Sequence, residues 1–480
     1  MKATTLVEIA KAIGGEIIQG DSGVVFSQVS TDSRKIEPGS LFLALRGKKY
    51  DAHQFLDLAV AAGAGGLVVD RAVKVTAGLP VIKVFDTLAA LQALAALNRD
   101  RCGIPLIAVT GSNGKTTTKD MIASVLGRRL RTVKTMGNYN NEIGLPLTLL
   151  HIDESSEVAV VEMGMRGPGE INTLCRIARP TGAVITNIGE AHLELLGTVS
   201  NIAAAKGEIL ENIPADGFAV LNADSPFIRR EAGRCRGKVI FFGTDKECEI
   251  MVKDVRAEKG GNQFTAKISG REWGFSLSLP GRHNVLNALA AIAVGREFGF
   301  SIEEIAEGLN TVTLSDMRLE IIEAADVKII NDAYNASPAS TGAALRVLKE
   351  VSGGRCTVAV LGNMLELGPR AVEGHVEVGS IAADLGVDSL VVVGDLASGI
   401  AEGAVRSGMP AGKIHSCANN QEAITVLNSI LRKGDVVLVK GSRAMHMEQI
   451  VASISGAKPA HEYSRRLSCK DYGWHSLPRC

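Results

Sequence analysis

Short apolar runs recur along the chain, each closed by glycine or a polar turn residue, with helically spaced apolar positions between several of them. In the first hundred residues the clearest are GGLVVD (65–70) and PVIKVFD (80–86), preceded by an Ala-rich helical pattern and followed by a helix over 87–100. A second set comprises PLIAVTG (105–111), VAVVEMG (158–164), GAVITNIG (182–189), GFAVLNAD (217–224) and KVIFFG (238–243). Runs of this length, bounded by turn signals and alternating with helical segments, predict βαβ units around a mostly parallel sheet. Residues 248–280 alternate more like antiparallel strands, and a helix from Asn284 to about Phe298 closes that stretch. A third set reads VKIINDAYN (327–335), CTVAVLGNM (356–364), DSLVVVGD (388–395) and DVVLVKGS (435–442). Ligands of open parallel sheets sit beyond the carboxyl ends of the strands, so Asp332, Gly362, Gly394 and Gly441 are expected along one rim. The pattern predicts an α/β chain of three units: an N-terminal α/β unit (1–98), a central, mostly parallel sheet unit (99–312) and a C-terminal Rossmann-like unit (313–458). The polar stretch 459–480 lacks periodicity and is read as a mobile tail.

Composition removes several function classes. The chain has 480 residues, 46% of them hydrophobic, which is enough for large cores in two to four domains. Fifty-two basic residues balance fifty-two acidic ones, which argues against a nucleic-acid partner or a polybasic membrane surface. Glu8 and Lys11 interrupt what a signal peptide would need, and no run approaches membrane-spanning length. No membrane insertion and a cytoplasmic location are therefore the expectations; a monomer is expected too, although nothing in the sequence fixes the oligomeric state. Eight scattered cysteines without a C-x-x-C pair read as reduced thiols rather than a zinc site or disulfide framework.

The chemistry concentrates at AVTGSNGKTTTK (108–119), where a strand runs through Gly111, Ser112, Asn113 and Gly114 into a helix that the apolar spacing extends from Thr116 to Leu130. A glycine turn between strand and helix aims free N–H groups and the positive helix end at one point, which suits an anion. Lys115 would reach terminal phosphates and Thr116, followed by Thr117, would hold Mg²⁺; the alternative is a plain βα turn. Only two residues separate the glycines, where the usual phosphate loop has four. Glu162, ending its strand, suits Mg²⁺ or is a solvated charge. His192 reads as a ligand or a surface histidine, and Lys206 as a helix-surface lysine. Asn284 and Asn287, three apart on one helix face, suit a purine edge or simple capping. Asp332 suits ribose hydroxyls; Asn335 and Ser337 cap the next helix or face a ligand; Arg318 clamps phosphate or lies on the surface.

Together these segments resemble the Mur ligases. The likeness runs through TGSNGKTTTK, GNYNNEIGLP (137–146), VEMGM (161–165), TNIGEAHLE (186–194), AKGEI (205–209), GRHNVLNALAA (281–291), MRLE (317–320) and NDAYNASP (331–338), and covers about residues 25–450. NDAYNASP and LGNMLELG (361–368) resemble the member that adds D-alanyl-D-alanine to a UDP-N-acetylmuramoyl-tripeptide. The resemblance implies an ATP- and Mg²⁺-dependent amide ligase with small-molecule substrates. It implies a UDP-substrate role for Ser33, Arg34, Asp51, His53, Asn138 and Asn141. ATP contacts are implied for residues 111–117, Asn284, Asn287, Arg318 and Asp332. A catalytic and metal set follows of Lys115, Thr116, Glu162, His192 and Lys206, the lysine as a carbamate. Candidates for gripping the dipeptide are Asn335, Asn363, Glu366, Lys440 and Arg443. Folylpolyglutamate synthases share the loop; a nucleotide switch or a P-loop kinase are the alternatives from other classes.

Overall fold

The structure is a computed structural model and describes residues 1–456 apart from 48–49, 76–77, 259 and 325. The tail expected at 459–480 lies outside the described residues. Three larger sheets organise the rest. The N-terminal sheet has the strand order Glu16–Gln19, Val81–Lys83, Gly66–Val69, Leu41–Leu43 and Val29–Ser30, antiparallel only at its first pair. A helix over Thr87–Cys102 leads out of it. Asp86 caps that helix through Leu88 N and Ala89 N, and left-handed Gly103 ends it, a pairing of start and stop signals that fixes the element's length.

The central sheet is built around β1 (Leu106–Thr110), whose five residues are all buried. It is followed by α1 (Lys115–Leu126), β2 (Val158–Glu162), β3 (Gly182–Ile185), α2 (Val199–Glu211) and α3 (Arg282–Glu297). β1 pairs in parallel with β2 on one side and β3 on the other. Its carboxyl end is thus where the strand order reverses, the position at which α/β sheets open a crevice. Three antiparallel strands, Ile250–Glu258, Gly261–Ile268 and Arg271–Leu277, extend the sheet at its far edge. They give the alternation of residues 248–280 its physical cause: one face packs on α3 and the other meets solvent. α1 is shorter than the apolar spacing suggested, because Gly127 closes it and Leu130 packs back from a turn.

The C-terminal sheet contains β4 (Lys328–Asp332), α4 (Pro338–Ser352) and β5 (Val436–Lys440), in the strand order Glu320–Glu323, β4, β5, Thr357–Gly362, Ser389–Val393, Ile414–Cys417. All pairs are parallel except the first. Asp332 and Lys440 are register partners at the strand ends, and Gly362 pairs with Val393 one strand further on. The rim expected at Asp332, Gly362, Gly394 and Gly441 therefore exists, and it faces the loop that follows β1.

Candidate active site

The loop after β1 is held open by its neighbours rather than by its own turn. Asn113 donates its N–H to Asn187 Oδ1 at 2.9 Å, and its carbonyl accepts from Thr186 Oγ1 at 2.6 Å and Asn187 Nδ2 at 2.9 Å. Ser112 N donates to Asn187 O at 3.0 Å, and Ser112 Oγ bonds Gly189. The segment after β3 thus replaces the residues that a longer phosphate loop would contribute. Both glycines are required by space and by backbone. A methyl on Gly111 (φ +150°) would lie 2.0 Å from Thr186 Oγ1, and one on Gly114 (φ +76°) 2.6 Å from Asn287 Oδ1. Lys115 folds over the loop, with Nζ donating to Gly111 O at 2.9 Å and Ser112 O at 3.4 Å.

Thr116, one residue into α1, donates to Glu162 Oε2 at 2.7 Å. Glu162 is 2% exposed at the end of β2; its other oxygen accepts from Asn140 Nδ2 at 2.7 Å. Its backbone N–H is held by Thr135 Oγ1. Two neutral donors hold the Glu162 oxygens, and its charge acts on Lys115 and on the buried Lys119 and Lys206 around it; a carboxylate at a strand end is an oxygen donor that suits a hard cation. Lys206 on α2 is 1% exposed. Burial, then the charge of Lys115, push its ammonium well below the ordinary lysine range, with Glu162 opposing. A neutral buried amine is a nucleophile as an ammonium is not. Asn140, Asn187 and Thr186 were not among the expected site residues. The asparagine cluster 138–141 and the pair Thr186–Asn187 after a strand are the signals that point to them.

Several expected contacts turn elsewhere. His192 (φ +65°) directs Nδ1 to Glu366 Oε2 at 2.9 Å, so this conformation joins the two units instead of gathering His192 with Glu162 and Lys206. The same loop pairs Glu190 with Arg370 at 3.0 Å. Asn284 is buried and satisfied: Nδ2 donates to Pro280 O at 2.7 Å, and Oδ1 accepts from Asn287 Nδ2 at 3.2 Å. The Asn284 amide is thus taken up by protein, as a buried amide requires, while the Asn287 oxygen stands against Gly114. His53 is likewise committed, with Nδ1 at 2.7 Å from Asp51 and Nε2 accepting Asp70 N–H at 3.1 Å. Arg71 holds the remaining oxygen of Asp51. Arg34 pairs with Asp32 at 2.9 Å, and Asn141 Oδ1 receives Ile143 N and Gly144 N at the start of a helix.

On the C-terminal rim, Lys440 is buried on Asp332 and on Asn335 O at 2.8 Å. Asn363 Oδ1 accepts Ala397 N at 2.9 Å, and Arg443 pairs with Glu448 at 2.8 Å. Lys440 therefore shapes the rim from within, its ammonium taken up by Asp332 and Asn335, while Asn363 and Arg443 are half-buried beside it. Asn335 keeps an exposed side chain. Arg318 does reach the loop: a guanidinium nitrogen lies 3.4 Å from Thr116 Oγ1, and the group stacks 3.9 Å from the Tyr334 ring centre. Ser337, capping α4, lies 3.5 Å from Asn113 Oδ1. One turn before Asn287, which packs on Gly114, the start of α3 lines a cavity of about 330 Å³ with His283, Arg346, Glu350, Thr244 and Leu286 around it. Burial lowers His283 to about 4, so its ring is neutral. A flat neutral ring beside polar groups fits a nucleotide base.

Three family models match the chain: the Mur ligase family catalytic domain over residues 25–99, the Mur ligase middle domain over 109–295 and the Mur ligase glutamate ligase domain over 317–443. The chain is 41% identical to UDP-N-acetylmuramoyl-tripeptide--D-alanyl-D-alanine ligase of Bacillus subtilis, covering 94% of this chain and 98% of that protein. A crystal structure of MurF from Acinetobacter baumannii is 33% identical and superposes with a TM-score of 0.85, covering 95% of this chain and 99% of that one. MurF ligase from Thermotoga maritima in complex with ADP is 30% identical, with a TM-score of 0.78, covering 92% and 98%.

Proposed function

The chain belongs to the Mur ligase family, and from that premise we propose that it joins D-alanyl-D-alanine to UDP-N-acetylmuramoyl-tripeptide with hydrolysis of ATP. The observation that carries the reading is the Lys115–Thr116–Glu162 constellation at the β1 crevice, in a chain that matches such ligases over nearly its whole length. A carboxylate is a poor acyl donor because oxide is a poor leaving group. A carboxylate oxygen of the tripeptide attacks the γ-phosphorus, ADP leaves, and an acyl phosphate forms. The free amine of D-alanyl-D-alanine attacks the acyl carbon, inorganic phosphate leaves, and the amine releases a proton. Such a reaction asks for positioning and charge stabilisation rather than a side-chain nucleophile.

In this reading the N–H groups of residues 111–117 and Lys115 hold the phosphates, and Arg318 approaches from the other unit. The base enters the His283 cavity, and Asp332 lies on the ribose side. Thr116, Glu162 and Lys206 as a carbamate would hold Mg²⁺, and the ion would supply positive charge to offset that of the phosphates during transfer. Carbamoylation joins CO₂ to the neutral Lys206 amine with loss of one proton and converts a donor into two oxygen acceptors. His192 would join this set only after leaving Glu366. The UDP-substrate enters along the N-terminal unit past Ser33 and Asn138, and the dipeptide approaches the rim near Asn335. The protein works as a monomer in the cytoplasm, on small molecules and not on nucleic acid, with domains at 1–98, 99–312 and 313–458.

Phosphate release measured with UDP-N-acetylmuramoyl-tripeptide, ATP, Mg²⁺ and a panel of amines tests the reading. Release confined to D-alanyl-D-alanine is expected; release with glutamate or a diamino acid alone would overturn it. For Lys206, ¹³C-bicarbonate should give a carbamate resonance that Lys206→Ala lacks. Full activity of Lys206→Ala, indifferent to bicarbonate, would remove the carbamate.

A further inference from the structure

Arg318 reaches the phosphate loop from an unusual piece of chain. The residues on either side of it, Met317 (φ +59°) and Leu319 (φ +51°), are both left-handed, a conformation that unbranched and γ-branched side chains seldom adopt. Both are buried. Strain on both sides of one residue persists only where the surroundings over-determine it. Here each end of the segment is fastened to a different unit. On the central side, Ser315 gives both its N–H (2.9 Å) and its hydroxyl (2.8 Å) to Asp120 Oδ2. On the C-terminal side, Leu319 N–H donates to Asp332 Oδ1 at 3.3 Å, while Lys440 occupies the other oxygen.

The Asp120 anchor is itself built into the phosphate-loop helix. Asp120 is 1% exposed on α1, one turn beyond Lys115 and Thr116. Its Oδ1 is held by Lys134 at 2.7 Å and by Lys119 at 3.1 Å. Burial alone would raise its pKa, but the two lysines hold the carboxyl ionised below the ordinary aspartate range. Lys119 is buried too, and donates to Thr135 O at 2.8 Å and towards Ser315 Oγ at 3.4 Å. Thr135 is the residue whose hydroxyl fixes the backbone of Glu162. One buried charge cluster therefore fastens the loop helix, the Glu162 strand end and the segment that carries Arg318.

We propose that Ser315 and Asp120 are positioning residues that set Arg318 against the phosphate loop, so that the strained segment 315–319 delivers its guanidinium to the transferring phosphoryl group. This deepens the ligase reading and rests on it. The segment is a strap: its first anchor moves with α1 and its second with the C-terminal sheet. Arg318 therefore keeps its place on Thr116 only when both units hold their ends.

The test uses the full-length enzyme and the phosphate-release assay with Ser315→Ala, Ser315→Thr, Arg318→Ala and the Ser315→Ala/Arg318→Ala double variant. Ser315→Ala should lower kcat by about ten-fold, the scale of a small misplacement of a charged group, with KM for the UDP-substrate nearly unchanged and the thermal midpoint lowered modestly by the lost bond to Asp120. Ser315→Thr should restore most of the loss, and the double variant should be no slower than Arg318→Ala alone, since the serine acts through the arginine. Amide hydrogen exchange over 313–321 should accelerate in Ser315→Ala. Wild-type kcat in Ser315→Ala overturns the proposal, as do losses that multiply in the double variant or a fall in kcat that Ser315→Thr does not rescue. A wild-type enzyme silent with D-alanyl-D-alanine overturns the ligase reading and this proposal with it; a normal wild type beside an unimpaired Ser315→Ala overturns the proposal alone.

Discussion

Replacing Gly111 with alanine places a methyl group 2.0 Å from Thr186 Oγ1 and 3.2 Å from Asn187 N, at a φ of +150°. The nearest atom is a short hydroxyl that bonds Asn113 O at 2.6 Å, so it cannot swing away without losing that bond. Overpacking of this kind costs about 1–3 kcal/mol, and a β-carbon in an unfavourable backbone region adds about 1–3 kcal/mol. Thr186→Ala alone forfeits the hydroxyl bond, worth about 1 kcal/mol. In the double variant the 2.0 Å contact is gone and Thr186 Cβ remains at 3.2 Å. The two costs should then fall short of additivity by about 1–2 kcal/mol, within the range measured for touching residues. Urea denaturation of the four proteins gives the cycle. Phosphate release should fall about a hundred-fold in Gly111→Ala, because a shift of about 1 Å in the loop misplaces the phosphates, and recover in part in the double variant. Additivity to within about 0.5 kcal/mol, or a Gly111→Ala enzyme with wild-type turnover, would refute the claim that the segment after β3 shapes the short loop.

Glu162→Gln turns one oxygen into a donor facing Asn140 Nδ2 or Thr116 Oγ1; turnover should fall at least about a hundred-fold and the Mg²⁺ titration should move to higher concentration, whereas an unchanged Mg²⁺ curve would separate Glu162 from the metal. Asn284→Ala leaves Pro280 O and the Asn287 amide without partners, so it should cost about 1–3 kcal/mol in denaturation while KM for ATP changes little; a large rise in KM at unchanged stability would return Asn284 to the base. His283 is held at about 4, against 6.5 ordinarily, mainly by burial. The unfolded chain therefore binds the extra proton between those values, and the contribution of His283 is full above pH 6.5 and lost as pH falls towards 4. Denaturation midpoints at pH 4.5 and 7 should lie closer together in His283→Gln than in the wild type; an equal gap would place the acid sensitivity elsewhere.

The strands that end at the crevice were legible because each is an unbroken apolar run closed by glycine or a polar residue. Burial on both faces of a parallel sheet writes that pattern into the chain. The strands that were not legible are short or lie at edges: Thr132–Lys134, Ile414–Cys417 and the pair Glu16–Gln19 and Val29–Ser30. An edge strand buries one face at most, and two to four residues are too few for alternation to stand out. The helix after the loop was read too long for a related reason. Leu130 is apolar and in helical phase, yet it reaches the core from a turn, so periodicity continued where the backbone did not.

At the site, what the sequence revealed was the chemistry carried by backbone and spacing, and what it hid was partnership. Gly111, Gly114, Lys115, Thr116 and Glu162 could be read because a strand–glycine–helix unit fixes their relation along the chain. Whether Asn284 meets a base or a carbonyl depends on Pro280 and Asn287, its own near neighbours, and whether Lys440 is free depends on Asp332, more than a hundred residues away. Polar side chains on a rim have several satisfactory partners, and burial decides among them. A group sealed from water must bond whatever the fold brings within reach, so Lys440 is drawn inward while Arg318, strapped between two anchors, is held out over the loop. The residues most exposed to that choice are those whose partners come from another sheet. Arg318, His192 and Ser337 all meet the central unit from across the crevice or are met from it. Their contacts belong to one arrangement of the two sheets, whereas the loop is braced by Thr186 and Asn187 from its own sheet.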